Sequence, residues 1–306
     1  MTKWELITPL VCPSRHRRVR DLPFALTCQV VDAQHFLGLE RRDERTWRLT
    51  VTDRLITPGQ FLFGGCGLAA GLIALEQASG RPTVWATAQY LSYAPRGADV
   101  VVTTDLAVTG GHVTQARAVA TVDSREILTV NAALGTGTLS AAEPWTTMPD
   151  VPEPEQCPPR LMPPGLGTSI FEHVESRVAL GRTFAELDGS TGDPHSAIWA
   201  RVPGHFDPSA ATLAIFGDYV SGGVSQPLGR RTMGRSLDNT IRIATLEPTE
   251  WVLCDIHMHA LSGGFAHGTA FLWSPQGTLL ATASQSIAAR LWEQPAQPDS
   301  APADVD

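Results

Sequence analysis

The chain has 306 residues, 43% of them hydrophobic and 18% charged, which is typical of a folded protein with room for two ordinary domains. Its 23 Lys and Arg residues against 31 Asp and Glu residues give a net charge of −8. That charge argues against nucleic acid or an anionic membrane surface as the main partner. An anionic ligand would have to be bound by local donors, against the field of the whole chain.

The sequence shows no targeting or membrane signal. Residues 1–20 lack the apolar core and cleavage site of a signal peptide, and no apolar run approaches the roughly 20 residues of a membrane helix. The five cysteines are odd in number and follow no metal-ligand spacing, which favours a reducing compartment; they are Cys12, Cys28, Cys66, Cys157 and Cys254. We therefore predict a cytoplasmic protein without a membrane partner.

The clearest helix signal is CGLAAGLIALEQASG, residues 66–80, which is apolar around nearly its whole circumference and predicts a buried helix. Gly80 followed by Pro82 predicts its end. Four runs rich in Val, Thr and Ile come next, with short Gly, Pro and Asp breaks. This pattern is typical of an antiparallel meander, and the runs begin at residues 83, 99, 112 and 126.

The second half repeats this order. The apolar segment 207–223 predicts another helix, and four strand-like runs follow, beginning at residues 236, 250, 265 and 279. Each run begins 151 to 153 residues after its counterpart, and Trp199 in IWARV follows Trp47 in TWRLTV by 152 residues. Five runs at nearly one spacing indicate an internal duplication.

A proline-dense stretch, EPWTTMPDVPEPEQCPPRLMPPG, separates the halves and predicts an extended linker. We expect four segments, namely an N-terminal domain, the linker, a C-terminal domain and a disordered tail, over residues 1–140, 141–165, 166–292 and 293–306. A helix that is apolar all round can be buried by a sheet that wraps it. The predicted fold class is therefore α+β, a double hot-dog with two antiparallel sheets each wrapped around a long buried helix.

With these elements in place, the sequence resembles the double hot-dog acyl-CoA thioesterase family, of the medium-chain thioesterase II type. The resemblance is carried by FLFGGCGLAAGL, PWTTMPDVPEPEQ, SLDNTIRI, SGGFAHG and LLATASQSIAAR, and it spans roughly residues 30–292. It implies an enzyme of fatty acid metabolism that hydrolyses acyl-CoA to free fatty acid and coenzyme A, without a cofactor.

The resemblance also implies a catalytic site on the second half. In that family an Asp, a hydroxyl residue and a Gln on three strands position the attacking water. By motif, the Asp is Asp238 and the Gln is Gln285, while the hydroxyl position falls on His257. Histidine is a departure from the family pattern, although a neutral ring could hold the water or act as the base. From the residues alone, Asp238 also fits a turn at the strand entry, because Asp is rare within strands.

A thioester is already an activated carbonyl, so the predicted site needs an ordered water, a proton acceptor and donors for the oxyanion, but no metal. Asp238 can accept the proton and Gln285 can orient the water. Backbone amides at a helix start suit the developing oxyanion, and those of Gly64, Gly65 and Cys66 are the candidates.

The predicted site occurs once per chain. Shifting Asp238 and Gln285 back by the repeat spacing gives Thr87 and Ala133, which carry neither the carboxylate nor the amide. The first half would then contribute only its helix start.

Other interpretations stay open. In DIHMHA, the alternating Asp255, His257 and His259 share one sheet face and could bind zinc, although the resemblance calls for no metal. A non-catalytic acyl-CoA-binding protein also fits the missing hydroxyl. The stretch STGDPHSAIW resembles the signature of hot-dog enoyl-CoA hydratases, but Asp193 and His195 are only two residues apart and the Asn of that motif is missing.

The expected partner is acyl-CoA, of a chain length that the sequence does not indicate. Its adenine diphosphate end requires Arg or Lys, and the sequence offers Arg96, Arg230 and Arg231 without ranking them. Hot-dog sheets often expose edges that pair with a second copy, so a homodimer is possible.

Overall fold

The computed structural model describes residues 32–139, 144–163, 168–204 and 208–292. The tail predicted as disordered, 293–306, lies outside these residues. The strands are β1 (Glu40–Arg41), β2 (Thr46–Thr50), β3 (Thr83–Tyr90), β4 (Asp99–Thr109), β5 (Val113–Val122), β6 (Arg125–Gly135), β7 (Glu175–Leu180), β8 (His195–Arg201), β9 (Thr232–Ser236), β10 (Asp238–Ile243), β11 (Val252–Ser262), β12 (Phe265–Trp273) and β13 (Leu279–Leu291). The helices are α1 (Ala33–Leu37), α2 (Gly64–Ser79), α3 (Ala210–Gly217) and α4 (Ser225–Leu228).

All strands described belong to one antiparallel sheet, ordered β1-β2-β4-β5-β6-β3-β10-β13-β12-β11-β8-β7, with β9 pairing with β13 off this path. The halves join where β3 pairs with β10, and Thr87 lies directly opposite Thr240. Their hydroxyl oxygens are 2.7 Å apart, although the residues are 153 apart in the chain. Equivalent positions thus pair with each other, as a pseudo-twofold axis requires. The fold differs here from the prediction of two separate sheets. Because β3 of the first half pairs edge to edge with β10 of the second, the two sheets become one.

Helix α2 is the buried helix that the sequence predicts. It ends at Gly80, which adopts a left-handed conformation with φ 67° and donates its N–H to the Glu76 carbonyl at 2.8 Å. Every residue from Gly65 to Leu75 is buried, because strands β3–β6 and helix α3 pack around the helix. No helix in the described part of the chain is long and apolar enough to cross a membrane.

The described residues of the second half contain no long helix, which corrects the prediction. Helix α3 begins after Ser209, whose side chain caps Thr212, and it ends at Gly217. The chain then continues as a tighter 3₁₀ segment, Asp218–Val224, before the single turn of α4. Two causes are visible in the sequence. Glycines such as those at 222 and 223 disfavour α-helix, and the Asp218 side chain is held by groups outside the helix, described below.

The two central helices touch at Gly65. A Cβ added there would lie 2.8 Å from Ile215 Cα and 3.0 Å from the Ala214 carbonyl oxygen, and both are backbone atoms of α3. We therefore expect Gly65→Ala to force the helices apart and to destabilise the protein by about 1–3 kcal/mol. Chemical denaturation measures the loss. Gly111→Ala is the matched control, because a Cβ there meets nothing within 4 Å; equal stability of both variants would contradict the close contact.

The linker packs on the sheet. Its described part, residues 144–163, covers the outer face of the second half, where Trp199 donates its ring N–H to the Pro152 carbonyl at 2.9 Å. Cys157 is buried in a second apolar cluster, together with Ala197, Trp199, Trp251, Leu253 and Trp273. The described part of this segment is extended apart from a 3₁₀ turn at Pro154–Gln156, and it also forms part of a small core of its own.

Candidate active site

A cavity of about 320 Å³ opens beside the start of α2, between the two halves. Its lining is largely apolar and aromatic, with Phe61, Phe63, Tyr90, Phe171 and Phe184 among the residues. Among the described residues that line it, Asp218 is the single carboxylate, and none is a histidine, cysteine or lysine. Apolar cavities with a few convergent polar groups are typical ligand sites.

Asp218 is the centre of a buried polar cluster. One carboxylate oxygen, Oδ2, accepts the backbone N–H of Gly65 at 2.8 Å. The other, Oδ1, accepts the Gln285 side-chain amide, the Ser236 hydroxyl at 3.3 Å and, at 3.5 Å, the Asn239 side-chain amide. The helix of the first half and three strands of the second, β9, β10 and β13, therefore hold this carboxylate in one position.

The environment of Asp218 changes its acidity. Burial raises the pKa of Asp218 to about 7, although the donors from Gly65, Gln285 and Ser236 favour the charged form. Close by, burial and the charge of Asp218 raise the pKa of Tyr90 well above its usual value, so this phenol stays protonated. A carboxyl group that titrates near neutrality in a cavity is suited to accept a proton at physiological pH.

Asp218 and Tyr90 face the same small space beside Gly64. A Cβ added to Gly64 would lie 2.9 Å from both Asp218 Oδ2 and the Tyr90 hydroxyl oxygen. That hydroxyl is buried and makes no hydrogen bond of good geometry within the described residues. A small polar molecule next to Gly64 would therefore find an acceptor and an unused donor.

The three predicted oxyanion donors differ in availability. The Gly65 N–H donates to Asp218, and the Cys66 N–H donates to the Phe63 carbonyl at 3.0 Å. Cys66 is also fully buried, and burial raises the pKa of its thiol well above the usual value. Gly64 lines the cavity, and no acceptor for its N–H is found in the described part of the chain. Of the three, Gly64 is the one that can donate to a ligand.

Gln285 lies in the cluster, where it holds Asp218. Its side-chain N–H donates to Asp218, and its side-chain oxygen accepts the backbone N–H of Ser221 at 3.0 Å. Both ends of the amide are therefore used within the protein. This arrangement orients the Asp218 carboxylate toward the cavity.

Asp238 is placed at a bend between two strands. Its Oδ1 accepts the backbone N–H of Ser286 at 2.8 Å, just where Leu237 separates β9 from β10. The register sets Asp238 opposite the exposed Gln89, and Asp238 does not line the cavity. This geometry matches the strand-entry interpretation of Asp238, in which the carboxylate replaces a backbone acceptor in an irregular ladder.

His257 and Gln285 lie on opposite faces of the sheet. Directly paired residues of antiparallel strands point to the same side. Gln285 pairs with Gly268, which pairs with Met258, a residue of the main core. His257 pairs with Thr269, one position further along, so it points away from that core. The structure does not bring His257 to Gln285 or to the cavity.

Three arginines line the cavity without a carboxylate partner in the part of the chain described: Arg160, Arg231 and Arg235. Arg160 packs over the rings of Phe171 and Phe184 at 5.5 and 5.0 Å, and burial lowers the pKa of its guanidinium. Of the predicted candidates, Arg231 lines the cavity, Arg96 pairs with Asp53, and Arg230 is exposed outside the lining. The cavity is thus cationic in an acidic protein.

No equivalent cluster is found among the described residues of the first half. The pairing of Thr87 with Thr240 fixes the repeat spacing at 153, so the counterparts of Asp238 and Gln285 are Trp85 and Ala132, one or two residues from those expected from sequence. Neither carries the required group. Among the described residues, the Asp218 cluster therefore has no copy at the repeat spacing.

Sequence reasoning missed Asp218. It lies in the segment interpreted as a long apolar helix, LAIFGDYVSGG. The available signal was a carboxylate in the middle of that apolar segment, where an isolated charge is costly to bury. The same spacing of 153 places it opposite Gly65 of the FGG helix entry.

A sheet of two equivalent halves around central helices, with a cavity between them, defines the double hot-dog class, and the comparisons with known proteins agree. Residues 154–289 match the family model for the acyl-CoA thioesterase C-terminal domain. A protein assigned as a thioesterase from Novosphingobium aromaticivorans is 31% identical; the match covers 82% of this chain and 97% of that one, with a TM-score of 0.72.

More distant structures show the same fold. The acyl-CoA thioesterase II TesB2 from Mycobacterium marinum is 20% identical, with 85% of this chain and 98% of that one covered and a TM-score of 0.67. A hot-dog protein of unknown function from Alicyclobacillus acidocaldarius is also 20% identical, with the same coverage and a TM-score of 0.75. The search of curated proteins finds no match. The chain belongs to the double hot-dog acyl-CoA thioesterase family, of the thioesterase II type.

Proposed function

We propose that the protein hydrolyses acyl-CoA thioesters with Asp218 as the general base. The observation that carries this proposal is that the single carboxylate in the described lining of an apolar, arginine-containing cavity has a pKa raised to about 7. Family membership supports the reaction class. The position of Asp218, between the first-half helix start and Gln285, supports its role.

The proposed step uses groups of this chain alone. Ionised Asp218 removes a proton from a water beside Gly64, and the water oxygen forms a bond to the thioester carbonyl carbon. The Gly64 N–H and the Tyr90 hydroxyl donate to the developing oxyanion. When the carbon–sulfur bond breaks, the leaving thiolate takes the proton from Asp218, which returns to its ionised form. The products are a fatty acid and coenzyme A, and no oxidant or metal is consumed.

The two ends of the substrate fit the two characters of the cavity. Aromatic side chains such as Phe63 and Phe171 suit an acyl chain. The unpaired guanidiniums of Arg231 and Arg235 suit the phosphates of coenzyme A, which the net charge of the chain would otherwise repel. The anionic ligand is thus met by local donors, as the composition requires.

Two alternatives follow from the family resemblance and remain predictions. In one, Asp238 is the base, with His257 and Gln285 holding the water. In the other, the protein binds acyl-CoA without turnover. A panel of acyl-CoAs from acetyl to palmitoyl, incubated with the purified chain and a thiol reagent, separates hydrolysis from binding alone, while Asp218→Asn and Asp238→Asn separate the two candidate bases. Thiol release at one or more chain lengths supports hydrolysis, binding without release supports the carrier, and the absence of both contradicts the whole proposal.

The raised pKa of Asp218 predicts the pH profile. Because only the ionised carboxylate accepts a proton, kcat/KM should rise by about tenfold per pH unit up to a pH near 7 and then level off. Initial rates between pH 5 and 9, followed by loss of thioester absorbance, test this expectation. Circular dichroism at each pH serves as the control for folding. Rates that stay flat from pH 9 down to pH 5, as a carboxyl group with its usual pKa near 4 would give, would instead indicate a different base.

A further inference from the structure

A second cluster of reactive side chains lies on the outer face of the sheet, opposite the Asp218 cavity. His195 Nε2 is 2.6 Å from Asp255 Oδ1, and His257 Nε2 is 3.1 Å from the same oxygen. The two imidazole rings stack with centroids 4.2 Å apart and planes 12° from parallel. The mechanism proposed above uses none of these groups.

The sheet register creates this cluster. His195 on β8 lies directly opposite His257 on β11, and Asp255 precedes His257 by two residues on the same face. Three side chains on two paired strands are held at fixed spacing, without depending on a loop. His259, which the sequence groups with Asp255 and His257, turns away and bonds the Thr269 hydroxyl at 3.0 Å. In the structure, His195 takes the place that the sequence assigned to His259 in this cluster.

We propose that His195, Asp255 and His257 form a zinc site. Two imidazole nitrogens and one carboxylate oxygen are a usual zinc donor set, and three protein ligands leave a fourth position for water. Donor atoms around one zinc ion lie about 3–3.5 Å apart, and here all three lie within 4.8 Å of one another. Because the two stacked rings lie in nearly parallel planes, one ring would have to tilt for both nitrogens to reach the same ion.

Burial and charge favour this cation. The Asp255 side chain is 6% exposed, while those of His195 and His257 are 29% and 37% exposed. The carboxylate is therefore enclosed, and the two ring nitrogens form the open side through which an ion and its water can enter. With neutral histidines, the three ligands carry one negative charge, on Asp255. A divalent zinc ion would balance that charge better than the N–H groups of the two histidines do.

The location separates the ion from the Asp218 cavity, which none of the three ligands lines. A zinc ion here would link β8 to β11, two strands near one end of the sheet. Gln285, which orients Asp218, points to the other face, so hydrolysis should not require the ion. The sequence-based prediction of no metal counted His257 among the catalytic residues. The proposed zinc site instead gives His257 the role of a ligand, away from the Asp218 cavity.

Equilibrium dialysis of the tag-free full chain against ZnCl₂ tests the proposal. We expect the wild-type chain to retain one more zinc ion than the His195→Ala chain or the His257→Ala chain. His259→Ala is the matched control, because His259 lies on the same strand and face but outside the cluster, and it should bind zinc like wild type. Loss of affinity by the two cluster variants should reach at least the 10–100-fold seen when outer-shell partners of metal ligands are removed.

Thermal melting gives a second readout. Zinc should raise the Tm of wild type and of His259→Ala, and not the Tm of the cluster variants, because only a bound ion stabilises the native state. If alanine variants fail to fold, His257→Gln keeps a hydrogen-bond donor beside Asp255 and replaces them. Equal zinc retention by wild type and the cluster variants, or an equal loss in His259→Ala, would overturn the proposal and leave a hydrogen-bonded histidine pair.

Discussion

Asp218→Asn should lower kcat/KM for acyl-CoA hydrolysis by about 10²–10⁴-fold, the usual contribution of a general base. The amide keeps the size of the side chain and can still accept from Gln285 and Ser236, but it cannot take a proton from water. We expect acyl-CoA binding, measured by calorimetry, to change much less than turnover. The variant should also lose the acid limb near pH 7 that Asp218 gives to wild type.

Asp238→Asn is the comparison variant that distinguishes the two candidate bases. In the structure, Asp238 accepts one backbone N–H from Ser286, and an amide oxygen can make the same bond. We expect Asp238→Asn to keep activity within a few-fold of wild type. If it instead lost activity to the extent predicted for Asp218→Asn, while Asp218→Asn remained active, the base would be Asp238, as the family resemblance implies.

Gly64→Ala should abolish most of the activity by occupying the reaction space. The new Cβ would lie 2.9 Å from Asp218 Oδ2 and from the Tyr90 hydroxyl oxygen, closer than a carbon normally approaches. Either the water is excluded or both side chains shift, and a displacement of about 1 Å in a catalytic group can cost about 10²-fold in rate. Initial rates at saturating and limiting substrate separate an effect on kcat from one on KM.

The stability of Gly64→Ala distinguishes a blocked site from a damaged fold. The new Cβ overlaps the ends of two side chains rather than backbone atoms, and alanine is a better helix former than glycine. We therefore expect a smaller loss of stability than in Gly65→Ala, where the clash is with the α3 backbone. A fully active Gly64→Ala variant would contradict the placement of the water.

Periodicity and turn residues were sufficient to predict most of the fold. The apolar circumference of α2 and the Gly80 stop predict a buried helix, and the eight strand runs after the two helices agree with β3–β6 and β10–β13. The joining of both halves into one sheet was not predictable in this way. It depends on the edge-to-edge pairing of β3 with β10, and a sequence pattern describes the faces of a strand but not its neighbours.

The site was predictable only in part, for a similar reason. Gln285 was found through its strand motif, and it lies beside Asp218 in the structure. Asp238 precedes a regular strand, yet the bulge at Leu237 and the bond to Ser286 place it outside the cavity, and a bulge leaves little trace in sequence. Asp218 was not predictable because its position depends on a contact with Gly65, 153 residues away. The Gly65 N–H donates to Asp218 where the two helices meet.

Residues 65 and 218 occupy equivalent positions of the two halves, and they bond to each other. Two identical copies of one half could not build this arrangement. With glycine in both copies there would be no carboxylate. With aspartate in both, two buried like charges would face each other at a high electrostatic cost, and the side chain at residue 65 would meet the α3 backbone. The two halves must therefore carry different residues at this pair of positions. A gene that encodes only one half cannot provide both residues. Two covalently joined halves can therefore place a carboxylate opposite a glycine, which two identical copies of one half could not do.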